Sequence, residues 1–238
     1  MKKFMLLVMS ILLLTGCKRD DNKLILATEA GFAPYEYYQD GEIVGVDIDI
    51  AREIATSLGK ELVIKDVSFD FIINEIKSGK SDIGAAGMSI TKERLEEVDF
   101  SVEYAVSNQV VIVPMDSKIT SIDQISNQRI AVQLGTVADS YVNKNYKDAT
   151  VIRQKKYLSM VEDLKAGKVD LIIMDLLPAN EIVKSNDGLK ILDEYLFTDK
   201  YGMAIKKGNK ELLDKVNDVL TRLMSEGKIE EYTIKHTQ

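Results

Sequence analysis

The chain has 238 residues, 45% of them apolar and 29% charged, enough for one large domain or two small ones. A formal charge of −7 argues against a nucleic-acid partner, because nucleic acid rewards clustered Lys and Arg. One cysteine, Cys17, and one histidine, His236, exclude an internal disulfide and leave catalytic triads and histidine-bearing metal sites almost nothing to work with.

Lys2 and Lys3 precede a mostly apolar run over residues 4–14, far short of the ~20 needed to cross a bilayer. The run ends in Leu14-Thr15-Gly16-Cys17, which resembles a lipobox, so residues 1–16 read as a signal peptide and Cys17 as a lipidated residue. The alternative is an ordinary secretory signal with an incidental cysteine. Residues 18–23 form a charged tether.

Residues 24–28 (LILAT) have strand length, and Asp40-Gly41 reads as a hairpin turn between two short strands. Asp47 looks like the N-cap of a helix with Ile48, Ala51, Ile54, Ala55 and Leu58 on its apolar side, closed by Gly59. A strand follows at 61–65. The next helix, 68–78, carries Phe69, Ile72, Ile73 and Ile76 at i, i+3, i+4 and i+7, and 82–86 reads as a buried strand. A second series adds strands at 108–113 and 128–133, a short helix at 122–126, a helix at 158–166 and a buried strand at 169–174. A last amphipathic helix places Leu212, Leu213, Val216, Val219, Leu220 and Leu223 on one side, and His236 falls in a polar tail. Strand and helix in alternation imply parallel sheets packed against helices, an α/β fold.

Two stretches nearly repeat: IKSGKSDIGAAGMS (76–89) and LKAGKVDLIIMDLL (164–177). Each reads as a helix stopped by a left-handed Gly, a lysine in the turn and a strand entering a sheet. Two copies predict two sheets of like construction, hence two lobes. Ligands of open α/β sheets bind beyond the carboxyl ends of the strands. Gly87 and Asp175 occupy equivalent positions there, so both should border one cleft.

Several residues around that cleft could carry chemistry. Arg94, just past a strand end, is either a carboxylate grip through its planar fork or a solvated helix residue. Backbone N–H groups at Gly87 and Ser89, and the Ser89 hydroxyl, could share the same anion. Asp175 suits an ammonium group, or caps the helix before Pro178. Phe32 and Phe69 could sandwich an aliphatic or guanidinium side chain, although Phe69 equally suits the core. Glu29 is an exposed loop residue or the partner of a cationic side chain. Asp47 and Asp49 fit capping and a helix face better than a metal pair. Gly135-Thr136 could offer N–H groups to a carboxylate.

ATEAGFAPYEY, GEIVGVDIDIAREIA, GMSITKERLEEVDFS, IDQISNQRIAVQLGT and YGMAIKKGNKELLDKVN followed by GKIEEY come in order along the chain. They resemble the successive signatures of the extracellular solute-binding proteins of polar and basic amino-acid ABC importers (family 3), from residue 24 to about residue 232. The resemblance implies a two-lobed periplasmic-binding-protein fold (type II), with 24–110 plus 201–238 as one lobe and 111–200 as the other, joined by two hinge strands. By the same resemblance Arg94 takes the α-carboxylate of a free amino acid, with Gly87, Ser89 and Thr136 as further donors. Asp175 takes the α-ammonium, Phe32 and Phe69 flank the side chain, and Glu29 matches the acidic position of basic amino-acid binders. Glutamine binders carry lysine at the place of Gln133, and Asp rather than Glu at position 29. A basic ligand (arginine, lysine, ornithine or histidine) is therefore expected, with glutamine or cystine as the alternative. No reaction, cofactor or metal is expected. The implied partners are ABC permease subunits and, through the lipid, a bacterial membrane facing the outside or the periplasm; the protein itself is expected to be a monomer. The rivals are a dehydratase on the same fold and a sensor lipoprotein.

Overall fold

A computed structural model describes residues 21–237; the expected signal peptide, Cys17 and residues 18–20 lie outside them. The chain begins with β1 (Lys23–Thr28), the hairpin β2 (Tyr37–Gln39) and β3 (Glu42–Val44), α1 (Val46–Ser57) and β4 (Glu61–Asp66). A 3-10 turn (Phe69–Phe71) runs into α2 (Ile72–Lys77), followed by β5 (Ile83–Gly84), α3 (Lys92–Glu97) and β6 (Val98–Phe100). Next come β7 (Ala105–Pro114), β8 (Arg129–Gln133), α4 (Val137–Asn145), β9 (Thr150–Gln154), α5 (Tyr157–Lys165) and β10 (Leu171–Asp175). The chain continues through α6 (Leu176–Lys184), β11 (Leu189–Ile191) and β12 (Phe197–Tyr201), then β13 (Ala204–Lys206), α7 (Lys210–Ser225) and α8 (Lys228–His236).

Apart from the β2–β3 hairpin, which pairs only with itself, these strands form two mixed sheets, each the core of one lobe. The first has the order β4-β1-β5-β13-β6, parallel at β4-β1-β5 and antiparallel at β13. The second has the order β11-β7-β10-β8-β9, with β12 also paired to β7. Sheet alternation sorts the apolar residues between faces: Val110 and Ile112 of β7 join one core cluster, while Val111 and Val113 join another beneath α4. The chain leaves the first sheet after Phe100, enters the second at Ala105 and returns after Tyr201. The ribbon of β7 and β12, in register from Ala105↔Tyr201 to Gln109↔Phe197, thus connects the lobes. Of the two expected lobe limits, 110/111 lies within β7 just past this ribbon and 200/201 lies at the end of β12.

The repeated device is built alike in both lobes. Gly79 and Gly167 are left-handed (φ 71° and 66°), and the lysine after each donates its N–H back into the helix, Lys80 to Glu75 O and Lys168 to Asp163 O. The aspartate that follows then clasps the neighbouring strand. Asp82 Oδ2 accepts from Ile25 N (2.8 Å) and Asp170 Oδ2 from Arg129 N (2.8 Å), so the residue fixes the start of β1 in one lobe and β8 in the other.

Three expectations need correction. Asp47 is not a cap: Gly45 holds the N-cap position of α1 and makes no side-chain bond there. The Asp47 carboxylate turns inward to accept from Tyr104 Oη (2.6 Å) and Gly87 N (3.0 Å). Asp49 is likewise no solvated helix face, since it accepts from Lys235 Nζ (2.7 Å) and lies 2.9 Å from His236 Nε2. His236 accordingly ends a helix rather than a polar tail, buried with its other ring nitrogen 3.1 Å from Tyr37 Oη.

Candidate functional site

The strand ends of both lobes converge on one cavity. Glu29, Phe32, Glu36, Phe69, Gly87 and Ser89 line it from the first lobe; Gln133, Thr136, Tyr157 and Asp175 line it from the second. Its free volume is ≈ 10 Å³, about enough for one water. A second, open crevice of ≈ 630 Å³ adjoins it through Thr136 and is lined by Arg94, Gly135 and Tyr141. An amino acid can enter the inner cavity only if the rings that fill it part, and Phe32 stacks on Tyr157 across the lobes at 5.1 Å.

Seven of the eight expected site residues line the cavity, and Arg94 stands at its mouth. Thr91 caps α3 by accepting from Arg94 N (3.2 Å), which fixes where the arginine side chain starts. The guanidinium lies 5.2 Å from the Phe69 ring centre and donates to Ser89 O (2.6 Å) and to Gly135 O (3.1 Å) of the other lobe. Burial lowers its pKa to about 10, against the pull of Asp199 and Asp175, so it stays cationic at neutral pH. Arg94 is thus a bridging residue and not a solvated helix position.

Asp175 ends β10 at the N-cap position of α6 but makes no cap bond; its carboxylate accepts from the buried Tyr201 hydroxyl. Beside it is Asp199 of β12, which sequence reasoning missed. Asp199 accepts from Ser89 Oγ, and burial next to Asp175 pushes its pKa up to about 7. Its other oxygen is buried without a hydrogen-bond partner. Two carboxylates and one arginine therefore act on one another electrostatically beside the cavity.

Glu29 is 1% exposed, which removes the solvent-loop reading. Lys156, at the N-cap of α5, pairs with one oxygen, and Gln133 Nε2 donates to the other (3.0 Å). Burial raises the Glu29 pKa and the lysine opposes the shift. Lys156 has no signature in sequence, since only the folding of the second lobe over the first brings it to Glu29. Tyr157, its neighbour, was missed for the same reason.

Of the expected backbone donors, those of Gly87, Gly135 and Thr136 are engaged within the protein, Gly135 N bonding to Asp139 Oδ2 (3.2 Å) and Thr136 N to Gln133 O (3.3 Å). Gly87 N–H bonds to Asp47, and its lack of a side chain has a packing reason: at φ 51° a Cβ would stand 2.5 Å from Phe32 Cε1. Thr136 caps α4, accepting from Asp139 N (3.3 Å) and donating from its hydroxyl to Gln133 O (2.8 Å). Among the described residues no group of three or more His, Cys, Asp or Glu is placed to hold a metal ion.

A family model described as "Bacterial extracellular solute-binding proteins, family 3" matches residues 24–238. An arginine-binding extracellular protein of Bacillus subtilis is 30% identical, the match covering 97% of this chain and 96% of that one. An amino-acid ABC transporter substrate-binding protein of Streptococcus pneumoniae, solved with L-arginine, superposes with a TM-score of 0.87 at 31% identity over 91% of this chain and 94% of that one. An ancestral arginine-binding protein bound to glutamine gives 0.86 at 35% identity, covering 90% and 97%.

Proposed function

Because this chain belongs to the bacterial extracellular solute-binding proteins of family 3, with the two-lobed fold of that class, we propose that it binds a free basic L-amino acid between its lobes and hands it to an ABC permease. The observation that carries the reading is the electrostatic interaction of Arg94 with Asp175 and Asp199 beside a cavity that Phe32, Tyr157, Glu29 and Asp175 itself line. The first set is matched to a zwitterionic backbone and the second to an aliphatic stem with a charged tip. The relatives named for arginine support the choice of ligand. Binding is a population shift, since only with the lobes together do Arg94 and Asp175 reach one molecule. The β7–β12 ribbon is the element that would bend, and we assign no reaction to the cavity.

A thermal-shift and calorimetric screen of the twenty amino acids and ornithine tests this. Ligand at 100 Kd should add ~2.7 kcal/mol of stability, a rise of roughly 5–10 °C in a chain of this size. A basic amino acid giving the largest shift supports the reading, and a response to neutral amino acids alone overturns it. A polar neutral ligand such as glutamine is the second reading, favoured by one observation: Lys156 and Gln133 already occupy Glu29. Glu29→Gln separates the two. It removes the carboxylate and leaves Lys156 facing the ligand, so arginine should bind ~1–3 kcal/mol more weakly while glutamine changes little. Equal losses for both would give Glu29 a structural role instead.

We further propose that the protein acts as a monomer anchored through a lipid on Cys17. The sequence Leu-Thr-Gly-Cys supports the anchor. Cys17→Ser should move the protein from the membrane to the soluble fraction or leave its signal uncleaved; unchanged fractionation and processing would refute the anchor.

A further inference from the structure

We infer that Glu36 is a specificity-determining residue of the cavity, its carboxyl being an acceptor that no protein donor reaches and that an N–H of the ligand's cationic side chain would fill. The inference rests on the basic-ligand reading above and deepens it. Glu36 is 1% exposed and lines the same cavity as Glu29; no donor reaches either of its carboxyl oxygens, and it shares a proton with the neighbouring Asp47 carboxylate. Its backbone is pinned: Phe32 N donates to Glu36 O (2.8 Å), and Glu36 N returns a bond to Phe32 O (3.3 Å). The side chain therefore starts from the same short bridge that presents the Phe32 ring.

The other carboxylates around the cavity each have at least one donor, although Asp199, held by Ser89, also keeps one oxygen free. Glu29 is met by Lys156 and Gln133, Asp47 by Tyr104 and Gly87, and Asp175 by Tyr201. A charged tip entering at Glu29 would meet a carboxylate already matched by a lysine, so a further negative charge is needed for a dry cavity to hold it. Glu36 can supply that charge. The charges acting on it most strongly are carboxylates: Asp47 on α1, Glu29 at the end of β1 and Asp175 at the end of β10. Tyr35 and Tyr157 face it as neutral phenols. Buried carboxyls crowded together cannot all ionise, and burial beside Asp47 and Glu29 pushes the pKa of Glu36 well up, toward its protonated form. A guanidinium or ammonium arriving beside it reverses the balance, and the Glu36 proton passes to the solvent. A neutral tip does not, and meets an O–H donor instead.

Proton release on binding is the measurement. The full chain is titrated calorimetrically at pH 7 with L-arginine, in two buffers of different ionisation enthalpy, and with L-citrulline, an uncharged molecule of the same length. Asp199 answers to the α-ammonium common to both ligands, so the difference between them isolates the side chain. Arginine should release about one proton more than citrulline. In Glu36→Gln that excess should vanish and arginine should bind about 10-fold or more weakly, with citrulline little changed. If Glu36→Gln fails to fold, the wild-type difference decides alone. Arginine binding with no excess release overturns the inference and leaves the basic-ligand reading standing. Failure of every basic amino acid to bind overturns both.

Discussion

Arg94→Ala is expected to weaken ligand binding by ~2–5 kcal/mol, from about 30-fold to several thousand-fold, while the protein stays folded. The guanidinium is aimed before any ligand arrives, held by Ser89 O from one lobe and Gly135 O from the other and stacked on Phe69. A ligand carboxylate drawn into the closed site would lose its water and, without Arg94, have no cation to replace it. The cost is that of an unpaired buried charge, larger than the loss of one exposed contact. The fold should tolerate the change because Arg94 is only partly buried and its side chain bonds two backbone carbonyls rather than packing into the core. Arg94→Lys is the informative companion: it keeps the charge but not the planar fork, and should fall between wild type and alanine. Wild-type affinity in a folded Arg94→Ala protein, read by calorimetry, would remove Arg94 from the site.

The second large effect has opposite signs for binding and for stability. Asp175→Asn should cost ~2–5 kcal/mol of affinity by removing the proposed partner of the α-ammonium, yet leave the free protein as stable or more stable. The reason is Asp199. Burial and the neighbouring Asp175 charge raise its pKa from 3.8 to about 7, so the folded chain holds a proton there that the unfolded chain has lost. The stability of the free protein therefore falls as pH rises from about 4 to 7, and the whole penalty is present above 7. Removing the Asp175 charge relieves part of it. A cationic ligand group relieves it too, so stabilisation by ligand should grow between pH 5 and 8 in the wild type and grow less in Asp175→Asn. Thermal unfolding with and without ligand across that range checks both. A variant that is destabilised at pH 8 and binds normally would contradict the assignment.

How much of this was legible depended on whether the signal was local. The stop-turn-strand device at Gly79 and Gly167 reads directly, because a left-handed glycine and an apolar run suffice to define it, and it led to Gly87 and Asp175 on one cavity. Glu29 and Ser89 followed from their place just past strand ends, and Phe32 from the family resemblance. Lys156, Tyr157, Asp199 and Glu36 did not, since each matters only through what the other lobe or a neighbouring carboxylate brings near it. Asp47 was misread because an acidic residue before an apolar helical face has the pattern of a cap, and the tertiary bond to Gly87 prevailed. For His236 the signal existed. Ile229, Tyr232 and His236 stand at i, i+3 and i+7, the spacing of a helix face, but a charged and polar surround hid it.

The order of strands in the first sheet has a consequence for how the chain is completed. In β4-β1-β5-β13-β6, the strand β6 touches the sheet only through β13, and β13 comes from residues 204–206, after the whole of the second lobe has been traversed. The second lobe, in contrast, draws its sheet from one uninterrupted stretch whose two ends meet as Ala105 and Tyr201. It can close on itself as soon as β12 is made. The lobe that begins the chain is thus the last to be finished, and the half-cavity formed by Glu29, Phe32 and Gly87 takes shape around a keystone strand that arrives near the end of synthesis.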